Sequence, residues 1–435
     1  MSTDALQPSA RSSAARWPLV AMLCATATAG YICRVNVSTA GALLMQEFGL
    51  SQVAMGRVFS AFLLGYALFQ IPGGALADRW GARRVLSLAA WAWVVLTALQ
   101  AATGWGPWGA SVTGILAGFI ALRFLMGVAA APTYPASAQG VSRWVPASFQ
   151  GRATGIVIGS VGLGSAIAPP LVSSIMVQWG WRPALLVSAV PAMAIALLWR
   201  LVPEPVPAAP TAPGPLPFGP RRDTPAAPAS SLRSASFALL TLSYSLQGYV
   251  GYIFVSWFYL YLVQERHFGL LTGAWMSSLP WVLSIVSIPL GGFIADELAA
   301  GRLGATWGRR AVAMTGMAGS GILISIGAHT ESAVIAAVSL AIATALVLSV
   351  EGPFWSTVTR MPGGRSGTAG GVMNTGCNIG GLLSPMVTPM LAASIGWEPA
   401  LHVAAALAVL AAVLWLGIRV DVRGPAQSPI IPELP

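Results

Sequence analysis

No lysine occurs among the 435 residues. A phosphate-binding loop of the Gly-rich type ends in Lys-Ser/Thr, so the chain holds no such nucleotide site and any ATPase would be a separate subunit. Charge of either sign is scarce, at 8% of residues against 56% hydrophobic, and so little charge cannot cover a soluble globule of this size. The cysteines, Cys24, Cys33 and Cys377, all fall in apolar stretches and are too few for a disulfide framework. His267, His329 and His402 fall in or beside loops without metal-ligand spacing, so no metal or other cofactor is expected. Carboxylates are just as sparse. Of thirteen acidic residues only Glu351 lies well inside an apolar segment, which leaves no cluster from which a membrane enzyme would be built.

What the chain has instead is apolar length. A hydrocarbon core of about 30 Å needs about 20 apolar residues per helix. Twelve such segments can be drawn, near 17–40, 54–76, 84–103, 112–139, 152–176, 182–201, 236–262, 272–295, 310–328, 333–358, 367–394 and 398–418. Spanning helices satisfy their own backbone hydrogen bonds in lipid, so the pattern reads as an all-α membrane protein of twelve transmembrane helices. Residues 1–16 are polar, and the segment after them is long enough to cross the bilayer, so a retained helix is expected rather than a cleaved signal.

The net charge of +10 invites a nucleic-acid partner, but the positions of the arginines point to the lipid bilayer. With the N-terminus cytoplasmic, eighteen of the 23 fall on cytoplasmic segments, three (Arg57, Arg182, Arg266) lie outside, and Arg34 and Arg123 lie within helices. The positive-inside rule therefore puts both termini in the cytoplasm, and a multi-pass protein of the inner membrane is expected.

The segments form two sets of six. Ten prolines between Pro203 and Pro228 preclude a regular helix over 202–234, which reads as a cytoplasmic linker between halves at 17–201 and 235–419, with a cytoplasmic tail at 420–435. The halves repeat. Gly74-Ala75-Leu76-Ala77-Asp78 has its counterpart in Gly292-Phe293-Ile294-Ala295-Asp296, and Gly180-Trp181-Arg182-Pro183-Ala184-Leu185 in Gly396-Trp397-Glu398-Pro399-Ala400-Leu401. The offsets, 218 and 216, are nearly equal, and each match lies at an equivalent helix boundary. Such a parallel repeat places a pocket between two pseudo-symmetric halves that rock against each other.

Two features carry the chemistry. The first is Arg34, in Tyr31-Ile32-Cys33-Arg34-Val35-Asn36, midway along the first segment. A central arginine costs roughly 2.5–3.5 kcal/mol on insertion scales, so it faces a polar cavity or a partner. Its planar fork of donors matches a carboxylate, and at about 4 Å and an effective dielectric of 20 that pair is worth roughly 4 kcal/mol before desolvation. A structural pair with an acid on another helix is the alternative. The second is the loop from Gly74 to Arg84. Gly74 allows close helix approach, and Asp78 can accept hydrogen bonds at a helix end beside Arg79, Gly81, Arg83 and Arg84. The loop reads either as a capped positive-inside turn or as a conformational latch, with Asp296 beside Arg309-Arg310 as its degenerate counterpart.

Gly-x-Leu-x-Asp-Arg-x-Gly-x-Arg-Arg, Gly74 to Arg84, resembles the helix 2–3 loop motif of the major facilitator superfamily. Phe59 to Gly74, the Arg-Val-Asn stretch, Arg123 to Gly127 and the pair Asn374/Asn378 resemble its anion:cation symporter branch, which includes bacterial hexuronate, glucarate and galactonate transporters and animal vesicular glutamate and sialic acid carriers. The resemblance implies that Arg34 grips a substrate carboxylate, with Tyr31, Tyr66, Gln247, Asn374 and Asn378 lining the site; Trp355 is a further substrate-binding candidate, as part of an aromatic wall. Members commonly carry Asp directly before this arginine and Glu in helix 4; here those positions are Cys33 and Ala130. Proton symport therefore does not carry over through them. Glu351, beside the helix-breaking Pro353, is the candidate coupling or gating acid, and a capped helix break or a permanent pair with Arg34 are the alternatives. Arg123 reads as an interfacial anchor or as a second substrate contact. Tyr252, Trp257, Tyr259 and Trp281 are candidates for an aromatic wall, or for ordinary packing.

The expectation is a secondary carrier, most simply a monomer and not an enzyme, that moves a small organic anion such as a sugar acid by alternating access, with protons as a candidate co-substrate. A uniporter, an exchanger, or a non-transporting sensor on the same scaffold are the alternatives.

Overall fold

The computed structural model describes residues 16–105, 111–145, 147–202, 234–359 and 366–419. The two tails, nearly all of the linker at 202–234, and Arg360 and Arg365 lie outside the described residues. Twelve helices are long and apolar enough to cross a membrane. Spans 1–6 are Trp17–Phe48, Gln52–Trp80, Ala82–Ala101, Val112–Trp144, Arg152–Trp179 and Trp181–Leu198. Spans 7–12 are Ala235–Ser256, Leu270–Ala300, Gly304–His329, Ala333–Val358, Thr368–Ile395 and Trp397–Gly417. Each expected segment corresponds to one of them, and span 10 has the expected bounds. Span 1 runs on to Phe48 because the helix continues past its apolar window. Span 7 ends earlier than expected, at Ser256, and a short helix, Phe258–Gln264, follows the bend at Trp257.

Proline breaks spans 4 and 10 alike. Span 4 is Val112–Ala130 followed by Thr133–Trp144, and span 10 is Ala333–Ser349 followed by Glu351–Val358. Pro353 offers no N–H to the Ser349 carbonyl four residues earlier, and that oxygen lies instead against Gly291 of span 8. Superposing Pro132 on Pro353 sets Ala130 opposite Glu351 and Tyr134 opposite Trp355.

Tight crossings fix the halves internally. A Cβ on Gly65 would meet the Phe124 carbonyl oxygen, and one on Gly127 would meet that of Phe62, so spans 2 and 4 touch backbone to backbone. Gly380 and Ser245 do the same for spans 11 and 7. In the 74–84 region the close approach falls on Gly73, where a Cβ would lie 2.9 Å from Pro132. At Gly74 the nearest atom would be an ordinary 3.4 Å away, so the expectation placed there belongs one residue earlier.

The two loops also repeat in structure. Arg83 donates through Nε to the Trp199 carbonyl (3.1 Å) and through Nη2 to that of Arg200 (2.9 Å), capping the end of span 6. Arg310 donates through Nε (2.9 Å) and Nη2 (2.5 Å) to the Ile418 carbonyl at the end of span 12. A guanidinium serves here as a cap for orphan helix carbonyls.

The halves meet at mid-depth and at the end carrying the turns near 50, 266 and 396. There Gln52 donates to Gln264 (3.3 Å) and accepts from Trp397 Nε1 (3.2 Å), and Phe59 packs edge-on against Trp257 at 5.3 Å. Ser278 donates to the Ala166 carbonyl (2.7 Å) and Ser60 to that of Leu382 (2.8 Å).

Candidate functional site

Tyr31 and Arg34 are three residues apart on one helix, so their side chains share a face. Arg34 Nη1 donates to the Tyr31 hydroxyl (3.0 Å), and Nη2 crosses to the other half to donate to Tyr252 (3.0 Å). Aromatic faces enclose the guanidinium: its central carbon is 4.7 Å from the Phe62 ring centre, 5.0 Å from Tyr31, 5.4 Å from Tyr252 and 5.7 Å from Tyr66. Each such face is worth about 0.5–1 kcal/mol, and more when desolvated. Tyr66 in turn accepts from Gln70 Nε2 (3.2 Å), and Tyr31 is hydrogen-bonded to Tyr134. Among the described residues, no carboxylate lies within 4.0 Å of Arg34. The alternative of a structural ion pair, with Glu351 or any other described acid, is therefore not what the structure holds. Neutral hydroxyls and rings make the charge tolerable without cancelling it.

A cavity of about 30 Å³ abuts Arg34, lined among others by Tyr31, Tyr66, Trp93, Ala130, Thr133 and Tyr134. That volume admits about one water, not an organic acid. In this conformation the two tyrosine hydroxyls take up both Nη atoms of the Arg34 fork.

Arg123 is not at an interface with lipid headgroups. It is 4% exposed, about a third of the way along span 4, and donates through Nη2 to the backbone carbonyl of Arg34 (2.9 Å). Its central carbon is 4.9 Å from the Phe62 ring centre, so both guanidiniums flank one ring and lie no more than about 10 Å apart. Two like charges at about 10 Å repel by roughly 1.7 kcal/mol at an effective dielectric of 20. Cys33, where the resemblance leads one to expect Asp, is fully buried, with its thiol toward the Ser188 carbonyl (3.7 Å).

The acid forms a second cluster. Tyr244 donates to Glu351 Oε2 (2.7 Å) while accepting from Trp355 Nε1 (3.2 Å). Gln247 Nε2 donates to Glu351 Oε1 (3.0 Å) and to the Val347 carbonyl (3.2 Å), and its own oxygen faces the Cys377 thiol at 3.8 Å. Gln247 and Trp355, expected beside Arg34, are thus partners of Glu351 in this structure. Tyr244 and Tyr252 are eight residues apart on span 7, about 12 Å along the axis at 1.5 Å per residue. One helix therefore meets the arginine near its end, at Tyr252, and the acid near its middle, at Tyr244.

Asn374 and Asn378 are half-buried on span 11. They share the face of Gly381, where a Cβ would lie 2.6 Å from the Tyr252 ring, which places them one and two turns along from the Arg34 cluster. In the 74–84 loop Asp78 accepts from Gln139 Nε2 (3.2 Å), which also donates to the Ala77 carbonyl (2.6 Å) and so ties spans 2 and 4. Arg79 is exposed, and Gly81 adopts φ +85° between spans 2 and 3. Asp296 lies 3.6 Å from Arg309 Nη2 within its own half. Sequence reasoning did not pair Tyr252 with Arg34 or Tyr244 with Glu351; the spacing of hydroxyls along span 7 was the available signal.

The family model for the Major Facilitator Superfamily matches residues 22–300 and 297–432. Among curated proteins, a probable sulfoacetate transporter of Cupriavidus necator is 31% identical over 86% of each chain. The hexuronate transporter of Bacillus subtilis is 26% identical, over 91% of this chain and 93% of that one. A probable galactarate/D-glucarate transporter of the same organism is 28% identical, over 87% of this chain and 86% of that one. Among solved structures, a bacterial homolog of the human lysosomal transporter Spinster, inward-facing and occupied, matches with a TM-score of 0.76 at 18% identity, over 94% of this chain and 99% of that one. A D-xylose-proton symporter matches at 0.69 and 15% identity, over 92% and 97% of the two chains.

Proposed function

The chain belongs to the Major Facilitator Superfamily, and from that premise we propose that it carries a small organic anion across the inner membrane by alternating access, with Arg34 as the grip on an acid group. The observation that carries this is the state of Arg34. A permanently charged guanidinium, 8% exposed at the join of the two halves, has hydroxyls in place of a counter-ion. An anion that replaces those hydroxyls gains a charge-assisted bond to Arg34 and frees the Tyr252 hydroxyl of the other half, a difference in affinity between arrangements of the halves. Sulfoacetate, galactarate and hexuronate, named for the relatives, are all organic acids.

On this reading residues 17–201 and 235–419 are the rocking units, and 202–234 links them on the cytoplasmic side. The halves meet at the end away from the arginine-rich loops, so with the termini cytoplasmic the conformation is inward-facing. Glu351 is the coupling or gating acid. It sits opposite Ala130 in the repeat, with neutral donors on both carboxyl oxygens, so it can gain or lose a proton without breaking an ion pair. Asp78 and Asp296 order the two loops that move with each half, and a single chain is the working unit.

The test is Arg34→Ala in a thermal-shift titration of the purified protein against sugar acids, sulfonates and dicarboxylates. A ligand that stabilises the wild type is expected to lose its effect. Retained affinity refutes the grip.

A further inference from the structure

Arg123 is a guanidinium in the interior with two of its three nitrogens, Nε and Nη1, lacking any hydrogen-bond partner. Its single bond goes to a backbone carbonyl, and its closest charged neighbour is another arginine across the Phe62 ring. Among the described residues no carboxylate lies within 4.0 Å of either guanidinium. Cys33, next to Arg34 in the chain, and Ala130, on the cavity wall, stand where the resemblance leads one to expect carboxylates. The site thus holds two uncancelled positive charges at one depth. A ligand with one negative charge neutralises half of them.

We propose that the substrate is an organic acid with two ionised acid groups, and that Arg123 is the residue that selects for the second. The first group replaces the hydroxyls on Arg34. The second is drawn into the field of Arg123, which lies beside Phe62 of the cavity wall and keeps two unpartnered nitrogens. Trp93 Nε1 and Thr133 Oγ1, two buried and unpartnered polar atoms on residues lining the cavity, are further donors that an acid group entering between spans 3 and 4 can use. The inference rests on Arg34 as the grip, and it adds the valence of the ligand.

The test compares acids matched in size except for one charge, galactarate with galactonate and sulfoacetate with its amide sulfoacetamide, by competition binding to the full-length purified protein. The diacid of each pair is expected to bind roughly tenfold tighter, the scale of one unit charge acting on another about 10 Å away at an effective dielectric of 20. Arg123→Gln is expected to abolish that ratio, lowering diacid affinity roughly tenfold more than monoacid affinity, and Arg123→Lys to restore it; a merely structural role for Arg123 would lower both affinities by the same factor. A wild-type ratio near one overturns the proposal, as does a ratio unchanged in Arg123→Gln. So does a monoacid affinity that rises to the diacid level when chloride is added, because the second charge is then an inorganic ion. Should Arg123→Gln fail to fold, the wild-type ratio alone decides. If Arg34→Ala binds both members of a pair as wild type does, it is the underlying grip that fails, not the valence.

Discussion

Tyr252→Phe isolates the role of one oxygen atom. In the ligand-free conformation that hydroxyl accepts from Arg34 Nη2 at 3.0 Å. A hydrogen bond to a charged group contributes about 1.5–3 kcal/mol. Its removal strips an acceptor from a guanidinium that is 8% exposed, while the ring and its contact with Gly381 remain. The adjoining cavity of about 30 Å³ holds room for one water, which recovers part of the loss. A net rise of about 1 kcal/mol in the free state is the expected remainder. If the ligand's acid group takes the place of the hydroxyl, the bound state never had this bond and its energy is unchanged. Affinity then rises by about fivefold, the ratio that 1 kcal/mol carries. Two measurements are linked by this reasoning. In thermal-shift titrations the ligand-free protein melts lower than wild type, and at saturating ligand the two melt together. An affinity that falls, with the ligand-bound protein also destabilised, means that Tyr252 bonds to the ligand itself, and the displacement picture is then wrong.

Two further perturbations test the acid and the scaffold. Glu351→Gln keeps one acceptor, for Tyr244, turns a donor toward Gln247, whose amide must flip to accept it, and cannot exchange a proton; counterflow in proteoliposomes is expected to persist while uptake driven by an imposed pH gradient is lost, and no change in either removes Glu351 from the coupling role. Gly127→Leu drives a side chain into the Phe62 carbonyl, which cannot rotate away, so an overpacking cost of about 1–3 kcal/mol or more is expected; a wild-type melting curve in detergent would refute the backbone contact between spans 2 and 4.

The fold was legible because its rule is one-dimensional. Apolar length sets a span, and a run of prolines divides six spans from six. The repeat of Gly74–Asp78 in Gly292–Asp296 then gives the symmetry. Arg34 was legible for a related reason: a permanent charge inside an apolar window has few explanations. What could not be read is which side chains from distant spans converge. Gln247 and Trp355 share a cavity-facing polarity with Tyr31 and Tyr66, and nothing in their local sequence says that they lie about two turns away, beside Glu351. Of the two readings of Arg123 the interfacial one fails, because hydropathy places a segment without fixing which way one residue on it points; Arg123 is 4% exposed and bonded to the backbone of Arg34. Close contacts such as Gly73 against Pro132 depend on how two helices cross, which a motif of one helix does not encode.

The two charge clusters belong to one problem. Arg34 and Arg123 bring +2 to the middle of the membrane, and Glu351, about 12 Å along span 7, brings −1 when ionised and nothing when protonated. Any charge left uncancelled at that depth costs several kcal/mol, so the carrier reorients most readily when the sum is near zero. A monoacid reaches that sum with Glu351 ionised. A diacid reaches it only with Glu351 protonated. On the roles proposed for Arg34, Arg123 and Glu351, substrate valence and proton requirement are linked. An acid placed beside Arg34 would offset its charge and favour singly charged ligands. With Cys33 and Ala130 beside the arginines, and the carboxylate held by Tyr244 and Gln247 in the other half, the binding site keeps its full positive charge for the substrate. The proton is then read at a distance, through the helix that carries both Tyr252 and Tyr244. On this account the missing acids do not uncouple the carrier; they move the titrating group out of the binding site and raise the charge that the site is built to accept.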